Sequence, residues 1–136
     1  MIPTRVYIAG AYSQGDVMLN IRTAIMAADV VWRAGGVPFV PHLTGFWHVI
    51  SPHPYEDWLA LDQEWLRSCD VVLRLPGTSG GTDAEVALAI ELGMPVYHSL
   101  HECTAALTRE RIARIAETRR MERLGEFAGP GWGHGE

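Results

Sequence analysis

The chain has 136 residues, 48% of them hydrophobic, which is enough for one compact domain with a core and too little for two. Its apolar stretches are broken by charge or glycine well short of the ~20 residues that span a bilayer, and Met1–Gly10 lacks a signal-peptide layout, so a cytoplasmic protein with no membrane partner is expected. A formal charge of −5 argues against a coat on duplex nucleic acid, and with eleven basic residues that are all Arg, the P-loop, Schiff-base and kinase lysine chemistries are excluded.

Arg5–Ala9, RVYIA, is a β-branched and aromatic run ending at Gly10, the pattern of a buried strand followed by a tight turn. From Asp16 the spacing turns helical, with Ile21, Ala24, Ile25, Ala28 and Trp32 predicted on one face and Gly35-Gly36 as the stop. Val37–Val40 reads as a second strand closed by Pro41-His42, and LTGFWHVISPHP after it as an aromatic and histidine-rich loop. Tyr55–Arg67 returns to helical spacing and puts Trp58, Leu61, Asp62 and Trp65 in one stripe. Val71–Leu75 is a third strand, Pro76–Gly81 a glycine-rich turn, Thr82–Leu92 a helix stopped by Gly93, and Pro95–Ser99 a fourth strand. A last helix is predicted from about Thr108 to Leu124; its six arginines alternate with Glu110, Glu117 and Glu122, as on a solvated or subunit-contacting face. Residues 126–136 are glycine-rich and aperiodic, and read as a flexible tail behind a single domain, residues 1–125.

Strands and helices that alternate with short connections predict right-handed βαβ units. The fold class is α/β: a doubly wound, flavodoxin- or Rossmann-like parallel sheet of four to five strands, order 2-1-3-4(-5), with helices on both faces. Ligands bind such sheets at the carboxyl ends of the strands, near the point where strand order reverses, so the loops after the first three strands are expected to meet.

Several residues there can carry chemistry. Thr82 and Glu85 have capping-box spacing, so Glu85 reads either as a helix cap or as a carboxylate that the helix dipole keeps ionised, the state a nucleophile needs. Tyr7 is either a core aromatic with a satisfied hydroxyl or a group aimed at the site, and its direction decides which. Asp62 is either a solvated acid at the stripe's edge or a half-buried one with a raised pKa, suited to proton transfer. His42, His48 and His53 have spacings that match no familiar metal motif, and no metal is expected. Phe46, Trp47, Tyr55 and Trp58 are dense enough either to stack on a flat aromatic ligand or to form a packed lid. Cys69 and Cys103 form no CxxC pair and read as buried or incidental thiols. No nucleophile elbow and no GxGxxG after the first strand is present.

The ordered set VYIAGAYS, PFVPHL, YEDWLALD and CDVVLRLPGTSGGTDAEVALAIELGMPVY resembles the nucleoside 2-deoxyribosyltransferase-like family, including its small bacterial and phage branch, over about Arg5 to Ser99. The resemblance implies a nucleophilic Glu85 at the helix after the glycine-rich turn, Tyr7 of a YIAGP-like motif orienting it, and Asp62 as the helix aspartate that helps the departing base gain its proton. Ala11 stands where that motif has proline. Ser79 stands where transferases acting on free nucleosides look acidic, and the related nucleoside 5'-monophosphate hydrolases resemble this chain in having serine, which can hold a phosphate. Substrate contacts are expected from Gly10, Ser13, His42, Phe46, Trp47, Trp58, Ser79 and Gly80. The partner implied is a small nucleoside or nucleotide, with no cofactor, in a homo-oligomer. An NAD or nucleotide-sugar glycohydrolase using the same glutamate, and a non-catalytic nucleotide sensor, are the alternatives.

Overall fold

Side-chain alternation along one strand sets the two sides of the structure. In the computed structural model, which describes residues 3–125, β1 (Arg5–Ala9) lies inside a parallel sheet and its four residues Val6 to Ala9 are wholly buried. Successive side chains of a strand face opposite ways. Val6 and Ile8 enter a core formed with Ala24, Ala28 and Val31 of α1 (Val17–Arg33), Val71 and Leu73 of β3 (Val71–Arg74), and Cys103 and Leu107 of α5 (Leu100–Leu124). Tyr7 and Ala9 enter a second core with Leu66 of α3 (Tyr55–Arg67), Val72 of β3 and Ala89 of α4 (Gly80–Glu91).

The sheet order is β2-β1-β3-β4, with β2 at Val37–Phe39 and β4 at Val96–Tyr97, and every pairing is parallel. Tyr7 stands opposite Phe39 on one side and Val72 on the other. Four strands are present among the described residues, in the expected 2-1-3-4 order with helices on both faces. The order reverses between β1 and β3, so their carboxyl ends open a crevice.

Helix ends follow their capping chemistry. Asp16 accepts from the Leu19 amide at 3.0 Å to start α1, and Gly35 ends it with a φ of 96°, a conformation that glycine adopts without a Cβ penalty. The buried face of α1 is Ile21, Ala24, Ala27, Ala28 and Val31, whereas the expected Ile25 and Trp32 are 42% and 63% exposed. The apolar stripe is wider than one face, and the small alanines are what let the helix lie close on the sheet.

Three boundaries differ from those the sequence suggests. The stretch expected as a loop after β2 is a 3-10 turn (Pro41–Leu43) followed by α2 (Thr44–Ile50). Pro41 opens the turn at a position that needs no N–H, and the Thr44 hydroxyl donates to the Pro41 carbonyl at 2.8 Å. No residue of α2 is buried, so no amphipathic period marks it. Helix α4 begins at Gly80, capped by Ser79, whose Oγ accepts from the Thr82 amide at 3.2 Å; the Thr82–Glu85 capping box does not form. The last strand stops at Tyr97 because Ser99 caps α5, accepting from the Glu102 amide at 3.1 Å, so that helix starts eight residues before Thr108. The glycine-rich tail, residues 126–136, lies outside the described residues. No helix among the described residues is long and apolar enough to cross a membrane.

Two substitutions separate core packing from capping. Leu73 is wholly buried in a central strand, and Leu73→Ala is expected to cost about 2–5 kcal/mol in urea denaturation. Ser79→Ala removes only the α4 cap and is expected to cost about 0.5–2 kcal/mol.

Candidate active site

The carboxyl ends of β1, β2 and β3 converge on a cavity of about 360 Å³. Gly10, Tyr12 and Ser13 come to it from the loop after β1, Pro41 and His42 from the turn after β2, and Ser79, Gly81, Thr82 and Glu85 from the turn and helix after β3. Trp58, Leu59 and Asp62 of α3 form a further wall. The loop after β1 is fixed by Asn20, whose amide nitrogen donates to the carbonyls of Tyr12 at 2.9 Å and Gln14 at 2.7 Å.

Tyr7 projects from β1 toward α4, and its hydroxyl donates to Glu85 Oε1 at 3.0 Å. That direction settles the choice the sequence leaves open. The phenol is wholly buried, and burial, with the carboxylates of Glu85 and Asp62 beside it, raises its pKa far above the ordinary value, so it stays a donor. Glu85 is the sixth residue of α4 and therefore lies beyond the first turn, where the helix dipole acts. Burial pushes its carboxyl up to about 7, opposed by the Tyr7 hydrogen bond and reinforced by the charge of Asp62. The expectation of a dipole-ionised glutamate is thus corrected: two residues of helix N-terminal to the expected start remove Glu85 from the end. Asp62 is part-buried, and burial pushes it up to about 6.

Three buried side-chain atoms among the described residues lack a partner: His42 Nδ1, Asp62 Oδ1 and Thr82 Oγ1. An orphaned buried polar atom costs about 1–3 kcal/mol. All three belong to residues that line this cavity.

Of the residues singled out by sequence, Gly10, Ser13, His42, His48, His53, Tyr55, Trp58, Asp62, Ser79, Thr82 and Glu85 line the cavity, and Tyr7 holds Glu85 by its hydroxyl. Trp47 instead lines a neighbouring groove with Leu43, Leu61 and Trp65, and touches the cavity wall only by packing edge-on against Trp58 with ring centres 5.2 Å apart. Phe46, on the exposed helix α2, and Gly80, whose place at the wall Gly81 takes, do not line it. The sequence did not single out Tyr12, and it offered Thr82 only as a helix cap. His48 Nδ1 accepts from the Trp58 indole at 2.8 Å and from the His53 amide at 3.2 Å, so these histidines hold Trp58 in place. Among the described residues no group of three or more His, Cys, Asp or Glu is placed to hold a metal ion.

Arg74, at the end of β3, fixes the glycine-rich turn. It donates to the carbonyls of Leu75 at 3.2 Å and Gly77 at 3.3 Å and pairs with Asp83 at 2.8 Å.

The model of a family described as a domain of unknown function, DUF7768, matches residues 4–99. No curated protein matches the chain. Seven solved chains do. Among them is a 2-deoxyribosyltransferase from the psychrotolerant bacterium Bacillus psychrosaccharolyticus, 19% identical, with a TM-score of 0.51 over 68% of this chain and 69% of that one. The likeness is one of fold.

The raised Glu85 pKa ties stability to pH. The folded chain keeps this proton up to about pH 7, whereas the unfolded chain releases it near 4.5. The stabilisation is therefore full below about 4.5 and lost as pH rises through 7. Glu85→Gln keeps an acceptor for Tyr7 and has no charge to bury. Urea denaturation is expected to find it more stable than the parent by about 2–3 kcal/mol at pH ~8, with the gap closing toward pH ~4.

Proposed function

The chain belongs to the DUF7768 family, and we propose that it cleaves the N-glycosidic bond of a nucleoside or nucleoside 5'-monophosphate through a glycosyl-enzyme on Glu85. The observation that carries this reading is the Tyr7 hydroxyl at 3.0 Å from Glu85 Oε1, in a cavity that Asp62 also lines. A carboxylate held by a phenol, with a second carboxyl of raised pKa nearby, is the equipment of a retaining glycosidase. The order of Tyr7, Asp62, Ser79 and Glu85 along the chain supports kinship with the small bacterial and phage branch of the nucleoside 2-deoxyribosyltransferase-like proteins and with the 5'-monophosphate N-glycosidases.

In this reading the ionised Glu85 attacks the anomeric carbon as the bond from that carbon to the base nitrogen breaks, through an oxocarbenium-like transition state. The bonding electrons leave with the base, and Asp62, protonated, supplies the proton it takes up. Tyr7 holds the Glu85 oxygen that does not attack. The sugar ester on Glu85 is then released to water, giving a hydrolase, or to a second base, giving a transferase. Trp58, which the His48 and His53 rings brace edge-on, offers an aromatic surface for the base.

The test is incubation with a panel of nucleosides and 5'-monophosphates, with and without a free acceptor base, and chromatography of the bases. Wild type is expected to release or exchange a base, and Glu85→Ala to do neither; equal behaviour of the two on every active substrate removes the mechanism. Because Glu85 must have lost its proton while Asp62, the group of lower pKa, still holds one, the working form is a minor species, and the pH profile of kcat/KM is expected to be a low bell with limbs near 6 and 7. Asp62→Asn is expected to abolish the alkaline limb and lower kcat/KM by about 10²-fold or more.

A further inference from the structure

Proteins pair nearly all of their buried polar atoms, so an orphan calls for an explanation. The three orphans among the described residues come from three separate elements, the 3-10 turn, α3 and α4, and all three belong to residues that line one cavity. Asp62 has a part in the reaction proposed above. His42 and Thr82 have none.

The His42 ring is oriented by its surroundings. It is 4% exposed, Nε2 lies 3.1 Å from the Ala11 carbonyl oxygen, and the Tyr12 ring packs edge-on with centres 6.3 Å apart. A carbonyl oxygen only accepts, so Nε2 carries the proton and Nδ1 presents its lone pair. Burial lowers the imidazole pKa, against the pull of the Ala11 and Gly10 carbonyls, and favours this neutral form. Thr82 is 2% exposed, and its amide is already spent on Ser79 Oγ, which leaves the hydroxyl as the unfilled group.

We propose that His42 and Thr82 read the ligand of this cavity: His42 Nδ1 accepts from a hydrogen-bond donor on an uncharged part of it, a sugar hydroxyl or a base amino group, and the Thr82 hydroxyl makes a second bond. This rests on the nucleoside reading and adds the polarity the ligand must present. A carbonyl or ether oxygen facing Nδ1 is rejected, because two lone pairs meet with no proton between them. A site with a fixed acceptor discriminates against analogues that lack the donor, since the buried acceptor is then left empty.

Binding tests this apart from turnover. In the Glu85→Gln background, which cannot form the glycosyl-enzyme, calorimetry ranks adenosine, guanosine, cytidine and thymidine, and then the 3'-deoxy, 5'-deoxy and deaminated analogues of the tightest. His42→Gln keeps a side-chain N–H for Ala11 and loses the acceptor; His42→Asn returns an amide oxygen near the Nδ1 position. One analogue is expected to bind about 10–100-fold more weakly than its parent. The parent is expected to lose the same factor in His42→Gln and regain part of it in His42→Asn, while that analogue is indifferent to both. Which analogue responds tells hydroxyl from amino group. Thr82→Val is expected to weaken the parent about 10-fold while leaving the unliganded Tm unchanged or higher, because it removes an orphan. If His42→Gln weakens every analogue alike, or Thr82→Val lowers Tm and leaves affinity intact, the reading pair is overturned and the nucleoside reading stands. If neither a nucleoside nor its 5'-monophosphate binds at all, both fall.

Discussion

The hydrogen bond from Tyr7 to Glu85 joins the inner strand β1 to helix α4 across 78 positions of chain, and the cavity depends on it. Strand alternation sends Tyr7 into the core on the α3 and α4 side, where a phenol hydroxyl without an acceptor is costly. Glu85 supplies that acceptor and is itself withdrawn from water. Each group resolves the burial of the other, and the position of α4 over β1 and β3 follows. The same contact tunes the carboxyl: burial raises it and the phenol partly lowers it again, which leaves it near 7 instead of higher.

That balance is possible because of where α4 starts. Ser79 caps the helix three residues before Thr82, the cap that the Thr82–Glu85 spacing suggests, so Glu85 is the sixth helical residue and not the third after a cap. A carboxylate in the first turn is held ionised by the free amides there. One lying further in is governed by its local surroundings: here Tyr7, Asp62 and the depth of the cavity. Arg74 has a supporting part, since by binding Leu75, Gly77 and Asp83 it keeps the turn that carries Ser79 in register with the end of β3.

The sheet was legible because β1 and β3 are short runs of buried apolar residues with helical stretches between them, and parallel pairing is what such alternation permits. Helix α2 was not, because none of its residues is buried and an unburied helix has no period to show. The α4 start was obscured by Gly80 and Gly81, poor helix formers that sit in the first turn only because Ser79 caps it. In the site, the order of Tyr7, Asp62 and Glu85 was readable by resemblance, but the composition around Phe46 and Trp47 told only that aromatics are dense and not which way they point. The sequence offered Thr82 only as a helix cap; its mark in the site is a missing partner, which no residue pattern encodes. Gly45 is similar, since a Cβ there would run into the Tyr12 ring over the cavity mouth, a constraint that exists only once the loop after β1 and α2 are brought together.

The charges of the cavity bear on what it can take. Among the described residues its walls carry two carboxyls, Asp62 and Glu85, and no Arg or Lys. Arg74, close in sequence to the turn, is committed to Asp83 and to backbone carbonyls. Ser79, which by resemblance would hold a phosphate, already uses its oxygen as the acceptor of a helix amide, so only its proton and the backbone of Gly80 and Gly81 remain for an anion. Bringing a phosphate there without a cation also raises the pKa of nearby carboxyls. For Glu85, already at about 7, that moves the group further from the ionised form that the proposed reaction needs. A neutral nucleoside adds no charge there; the water it excludes deepens the burial that raises Glu85, and the Tyr7 bond that favours the anion works against that. Substrate charge and nucleophile ionisation are therefore one coupled choice in this cavity.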